Sequence, residues 1–311
     1  MPNRIPYVQN ETLQLQRLAA QRQLYSSAKN VKKIKCILTI PVLSILSIIT
    51  FFVSDFKIWF AFYGICLVLL NSVLLNPLGN SLQSQAAIIQ ELFDCEVLHL
   101  QWPKWKLTER PDPELIQKES AIYLKKNQDF SALQNWYPIQ IGRIPLPLAR
   151  IICQRVNLKY DADLRRNYIT KLLLLFIFVG IFIAALAILG GLNVETFVLV
   201  MLTPLLPLII WGIEEYTKNI HAADHLEKLK SLSEQLWNSS IKSPIPIEQF
   251  EMESRDLQNE IFEFRKNNPL VFDWIYTLLK QSQQNQMNES TDFFVSEAIN
   301  NLISAQIDAY D

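Results

Sequence analysis

Residues 172–194 read LLLLFIFVGIFIAALAILGGLNV, 23 consecutive positions without a charged side chain. At about 1.5 Å of rise per residue, a helix of that length crosses the roughly 30 Å hydrocarbon core of a bilayer. Core helices of soluble proteins rarely run so far without a charge, so the stretch reads as a membrane span. Residues 36–54, 58–75 and 196–213 repeat the pattern over 19, 18 and 18 positions. Short gaps pair the four runs. The expected fold is an all-α membrane protein with four transmembrane helices in two hairpins (2+2), and a mainly helical cytoplasmic domain built from the central segment and the C-terminal tail.

Basic residues orient this fold. Seven of the 29 Lys and Arg precede the first run, Lys57 alone separates the first two, 13 lie between the second and third, none between the third and fourth, and eight follow the fourth. Positively charged flanks stay in the cytoplasm, which puts 28 of the 29 there with both termini. The chain then divides into a cytoplasmic amphipathic helix (1–35), hairpin one (36–76, spans 36–54 and 58–76), a cytoplasmic central segment (77–171), hairpin two (172–213, spans 172–192 and 196–213) and a cytoplasmic helical tail (214–311). The outer turns, 54–57 and 190–195, are too short to fold, so any stimulus is read from inside. About 35 largely polar residues precede the first run and no small-residue cleavage site follows it, so it reads as a retained span.

Composition narrows the chemistry. The four Cys stand singly without a CxxC spacing, which argues against disulfides and a cysteine zinc site. From Glu214 onward 17 acidic residues face eight basic ones, a balance that argues against a DNA or RNA binder. The first 35 residues carry seven basic and one acidic side chain, and an anionic leaflet attracts each nearby basic residue by about 1 kcal/mol. No GxGxxG, GxxxxGK[ST] or GxSxG occurs, and no catalytic residue is expected. His221 and His225 stand at i,i+4 as a metal pair or as part of a solvated helix face; nothing completes a ligand set, and no metal is expected. Ionisable residues are absent from the four runs, against proton-coupled or ion-coupled transport.

Between the runs the pattern is helical. From Glu11 to Lys35, Leu13, Leu18, Leu24, Tyr25, Ala28 and Val31 gather on one side, giving either an interfacial helix or one packed on the cytoplasmic domain. The second span is expected to continue past Pro77 through Leu92, followed by a strand-like piece from Val97 to Trp102 and a helix opening at Asp112-Pro113. Helix resumes near Leu148, and the tail reads as helices from 214 to 237, 247 to 265, 270 to 280 and 293 to 307, with a mobile Gln-rich and Asn-rich stretch from 281 to 291. On the first span Thr39, Ser47, Thr50 and Ser54 fall in one sector, a weakly polar stripe that either packs helices or lines a pore.

Several strings resemble a known family. Ile5-Pro6 with Gln9-Asn10 and the stretch Leu18 to Lys29 (LAAQRQLYSSAK) resemble the start of the S-4TM proteins, the SMODS-associating four-transmembrane effectors of bacterial cyclic-oligonucleotide-based anti-phage signalling (CBASS). Trp136-Tyr137-Pro138, Cys153-Gln154-Arg155, Asp161 to Tyr168, Arg265 to Pro269 and Asp273 to Tyr276 are similar to the same family in the same order. The resemblance implies a homo-oligomeric effector in the bacterial inner membrane. It would be activated by a cyclic oligonucleotide or cyclic mononucleotide from a companion nucleotidyltransferase, and would disrupt the bilayer as a pore-former in abortive infection.

Such a ligand needs cations for its phosphates and aromatic faces for its bases. The candidates are Arg265, Lys266, Asp273, Tyr276, Arg143, Arg150, Arg155, Trp136 and Tyr137, with Arg165, Arg166, Tyr160 and Trp274 of like chemistry. Arg165, Arg166 and Tyr168 also fit an ordinary basic and aromatic belt beside the third span. Two alternatives stay open: a membrane-anchored sensor or scaffold without pore activity, and a small envelope transporter component.

Overall fold

The computed structural model describes residues 3–107, 109–191, 193–242 and 246–307; the side chains at 51, 54, 200, 242, 280–282 and 303–307 also lie outside the description. Every regular element among the described residues is helical. Besides 3-10 turns at Ser54–Phe56, Ser131–Leu133 and Ile139–Arg143, they are in chain order α1 (Ile5–Val8), α2 (Thr12–Thr39), α3 (Pro41–Phe52), α4 (Lys57–Leu70), a π-helical turn (Asn71–Leu75), α5 (Asn76–Val97), α6 (Pro113–Asn127) and α7 (Leu146–Leu189). There follow α8 (Val194–Thr196), a second π-helical turn (Phe197–Leu202), α9 (Thr203–Lys242), α10 (Ile247–Asn267) and α11 (Asp273–Ile307).

Among the described residues three helical stretches are long and apolar enough to cross a membrane: Thr12–Thr50, Lys57–Val97 and Leu146–Leu189. The apolar residues 196–213 lie in the helical stretch formed by α8, the second π-turn and the start of α9. Burial is inverted relative to a soluble protein. Ile58, Phe178 and Leu189 are 79%, 67% and 84% exposed, whereas Glu91 and Asp94 are wholly buried in the polar part of the chain. Apolar side chains turned outward want hydrocarbon around them, so the long helices continue beyond the packed body as rods for a lipid phase.

That body is assembled around α2, α5, α7 and α9. Ala20 and Leu24 of α2 pack on Ala86, Ile89 and Leu92 of α5 and on Ile116 of α6. The apolar side of the 11–35 helix is therefore covered by protein, the second of the two readings the sequence allowed. A larger core joins Ile5, Leu18, Phe93, Tyr137, Ile152 and Trp237 from five helices and the loop at 135–144. The N-terminus is clasped onto the 135–144 loop. Asn3 donates from Nδ2 to the carbonyls of Ile141 and Ile144, and Gln9 accepts from the Tyr137 N–H at 2.7 Å while donating to the Tyr137 carbonyl at 3.0 Å.

Several expectations need correction. No strand forms at 97–102: Val97 ends α5, His99 turns the chain at a φ of 52°, and Val97, Leu98 and Leu100 enter the core instead of pairing with a second strand. The stretch 281–291 is helical, inside an α11 that runs unbroken from Asp273 to Ile307, because Thr291, Val295 and Ala298 are buried against the body. α11 starts at Asp273 and not at Leu270, since the carbonyls of Pro269 and Leu270 accept from Arg165 and Lys32 and are withheld from a helical ladder. α7 opens at Leu146, two residues early, with Pro147 in a first turn that needs no proline N–H. Asp112 caps α6 as expected, its carboxylate accepting from the Glu114 N–H.

α7 and α9 approach closely at Gly212, where a Cβ would overlap the Phe176 ring. Small residues at such crossings let apolar helices touch. Replacing Gly212 with Leu is expected to cost about 1–3 kcal/mol through overpacking and to lower the Tm in detergent micelles; an unchanged melting curve would show that the two helices do not meet there.

Candidate ligand-binding site

Seven helices and the segments between them leave a cleft of about 560 Å³ in the polar body, within the roughly 300–1,000 Å³ range of small-molecule sites. α2 contributes Gln21, Arg22, Tyr25 and Lys29, and α6 contributes Tyr123 and Lys126. Trp136 enters from the loop, Tyr160, Asp161 and Arg165 from α7, Arg265 from α10, and Asp273 and Tyr276 from α11. Five cations and two carboxylates thus line it, so its field favours an anion.

Aromatic rings form its walls. Tyr160 and Tyr276 lie 6.2 Å apart between centroids at an interplanar angle of 59°, and the Arg22 guanidinium sits 5.1 Å from the centre of the Tyr276 ring. Burial pushes the hydroxyls of Tyr25, Tyr123 and Tyr160 above the usual tyrosine range, with the Tyr276 hydroxyl adding to the shift at Tyr160. They therefore stay neutral at physiological pH and act as hydrogen-bonding groups. Two basic side chains hold carboxylates: Lys29 pairs with Asp273 at 2.6 Å, and Arg165 faces Asp161 at 3.4 Å while donating to the Pro269 carbonyl. Arg22 and Lys126 have no carboxylate partner among the described residues; Lys126 donates to Gln23 at 3.1 Å. Gln21 is 3% exposed, and its Oε1 is a buried acceptor without a donor. An orphaned acceptor in a cleft is expensive unless something else occupies the space.

The structure brings Trp136, Arg265, Asp273 and Tyr276 to this cleft, with Tyr160 and Arg165, and distributes the other candidates elsewhere. Arg265 spends its guanidinium on the buried Asp94 carboxylate; burial opposes its charge, and Asp94 beside it more than compensates, holding its pKa above the ordinary value. Arg150 is buried and donates to the carbonyls of Leu98 and His99. Arg155 bridges Glu234 and Ser290 and covers the Phe294 ring. Tyr137 is wholly buried, donating to Asp94 at 2.7 Å, and Arg143 stands exposed at the end of a 3-10 turn. Lys266 lies 5.9 Å from the Phe262 ring, and Arg166 faces Asp224 and Glu227. Trp274 is exposed outside the cleft, and His225 packs on the Phe264 ring. Of the polar stripe, Thr50 donates to the Ser47 carbonyl, Thr39 opens into a second cavity, and the Ser54 side chain lies outside the description.

Gln21, Arg22, Tyr123 and Lys126 escaped sequence reasoning, although the first two lie in the LAAQRQLYSSAK stretch. On an amphipathic helix they read as wet-side residues, and only the arrival of α6, α7 and α11 makes that side concave.

The SMODS-associating 4TM effector domain model matches residues 3–294, nearly the whole chain. The chain belongs to the SMODS-associating 4TM effector family. No curated protein and no solved structure matches it. The family name makes the protein a membrane effector of CBASS-type systems that works beside a nucleotidyltransferase-type partner. In this 4TM effector, the strings that carried the resemblance meet in space: the N-terminal string clasps the Tyr137 loop, and the strings at 18–29, 161–168 and 265–276 wall the cleft.

The Asp94–Arg265 pair gives the effector a structural test. Replacing Arg265 with Met leaves a buried carboxylate uncompensated, expected to cost about 3–5 kcal/mol and to lower the Tm steeply. Replacing Arg22 with Met removes no ion pair and is expected to leave the Tm within a few degrees. Equal Tm shifts for both variants would refute the division between a structural and a free arginine.

Proposed function

We propose that this effector is switched on by a cyclic nucleotide, either a cyclic oligonucleotide or a cyclic mononucleotide, supplied by the companion nucleotidyltransferase and bound in the cleft. The observation that carries this reading is the convergence of Arg22 and Lys126 with Tyr123, Trp136, Tyr160 and Tyr276 around the orphaned Gln21 acceptor. Phosphates take charge-assisted hydrogen bonds from the two cations, bases stack on the rings, and a base amine or ring N–H satisfies Gln21.

The path from cleft to membrane is short. The Asn268–Phe272 segment floors the cleft; its Pro269 carbonyl accepts from Arg165 at 2.9 Å, and its Leu270 carbonyl from Lys32 at 2.7 Å. Lys32 continues to Glu215, just past the end of the last apolar run, and Glu215 accepts from the Tyr168 hydroxyl at 3.0 Å. Burial lowers the Lys32 pKa, and the Glu215 carboxylate works against that shift. A ligand that rearranges the segment therefore alters contacts where α2, α7 and α9 meet the apolar runs. The π-turns at Asn71–Leu75 and Phe197–Leu202 interrupt the helical ladders inside the apolar runs, where a small rotation is easiest.

In this reading 196–213 is a fourth span, both termini are cytoplasmic in the inner membrane, and several copies assemble with Ser47, Thr50 and Ser54 along the pathway, breaching the bilayer of an infected cell. Single cysteines placed at Glu195 and at Glu248 in a cysteine-free background test the topology: impermeant maleimide on intact spheroplasts is expected to label the first alone. Labelling of the second would reverse the orientation. Purified effector in dye-loaded liposomes tests the activity. Leakage is expected only with a cyclic nucleotide, and the Arg22→Glu, Lys126→Glu variant is expected to need at least about tenfold more of it, since one charge-assisted bond contributes about 1.5–3 kcal/mol. Absence of leakage across cyclic mono-, di- and trinucleotides, or a variant that responds like wild type, would overturn the proposal.

A further inference from the structure

A second cavity, of about 610 Å³, lies where the apolar runs meet the polar body, between α2, α3, α5 and α9. Its lining changes character along its length. Leu43, Leu75, Leu206 and Ile210 come from within the apolar runs, whereas Lys35, Asn76, Asn80 and Lys218 stand just outside them. Between these two ends sit Thr39 Oγ1 and Asn71 Oδ1, both buried and both without a hydrogen-bond partner. Two orphaned polar atoms on residues that line one cavity at membrane depth are costly with no water to satisfy them.

The charges are almost all spoken for. Lys32 is paired with Glu215, and Lys218 with Glu214. Lys35 donates to the Asn76 carboxamide oxygen at 2.9 Å and stands in the field of Glu214, with no carboxylate within ion-pair distance among the described residues. The cavity thus offers three lysines against two carboxylates at its wet end, neutral polar groups in the middle and an apolar floor. That is the polarity profile of an amphiphile with a single phosphate.

We propose that this cavity binds one glycerophospholipid, its phosphate on Lys35, its glycerol ester oxygens at Thr39 and Asn71, and an acyl chain along Leu43, Leu75 and Leu206. The Thr39 hydroxyl donates to an ester oxygen. Asn71 does the same when its carboxamide is turned over, an exchange of O and N that leaves the side-chain shape unchanged. Basic pockets between spans on the cytoplasmic side are suited to phospholipid head groups. Leu270 lines both this cavity and the cleft above it, so the lipid would sit directly beneath the segment that floors the cleft.

Native mass spectrometry of effector purified in mild detergent, without any cyclic nucleotide, tests the site independently of the messenger reading. The wild type is expected to retain one diacyl phospholipid per chain, and the Lys35→Glu variant to lose it. Delipidated wild type provides a second readout that does not depend on how the variant folds. Adding phosphatidylglycerol or phosphatidylethanolamine is expected to raise its Tm, with Asn71→Leu requiring at least about tenfold more lipid for the same rise. Equal stabilisation by inorganic phosphate or glycerol phosphate would identify an anion site with no use for the acyl floor and would overturn the proposal. So would lipid-free chains, or a cavity filled by a second copy of the chain.

Discussion

Asp94 carries a carboxyl group with no exposed surface, and the polar body depends on how that group is satisfied. It accepts from the Tyr137 hydroxyl, from Gln258 and from Arg265, and Asn157 donates in turn to the Tyr137 oxygen. One residue of α5 thereby fixes the 135–144 loop, α7 and α10. Burying such a charge costs several kcal/mol, and the cost is offset only when every partner is in place. Adjacent Glu91, also without exposed surface, is held the same way by Gln258 and Arg255. These carboxylates make the assembly of α5 and α10 all-or-none. Burial and the Asp94 charge together hold the Tyr137 hydroxyl far above the usual tyrosine range, so it remains a donor throughout physiological pH.

That rigidity contrasts with the junction beneath it. The Asn268–Phe272 segment carries carbonyls that side chains satisfy, and it separates the ligand cleft from the cavity at the membrane boundary. Backbone held by long basic side chains is easier to rearrange than backbone held in a helical ladder, because each donor can find another acceptor at little cost. A side-chain-held segment thus lies between the packed body above and the apolar rods below. The two cavities share a wall at Leu270, and any coupling across it is reciprocal.

Much of the fold was legible because its signals are local. Charge-free runs, the Asp112-Pro113 helix start and the continuation of the second span past Pro77 each depend on neighbours in the chain. The errors arose where distant contacts override local preference. Val97 to Trp102 has strand-like composition but meets a helical core, and the polar 281–291 stretch becomes helix because α11 docks at Val295 and Ala298. The site was half legible. Tyr276, Trp136 and Asp273 are chemically apt and do line the cleft, whereas Arg150 and Arg155, equally apt, are consumed by Leu98, His99 and Glu234.

By itself the sequence determined that this chain has long helices for a lipid phase, since hydrocarbon excludes charge and 23 residues without one leave little else to build. It also determined the family, through strings whose order survives without their geometry. Only the tertiary structure decided which cations are free. Arg265 and Arg22 look alike in the chain, but a carboxylate 171 residues away reaches the first and none among the described residues reaches the second. A charge is available to a ligand only when nothing nearer satisfies it, and that depends on packing the sequence does not display.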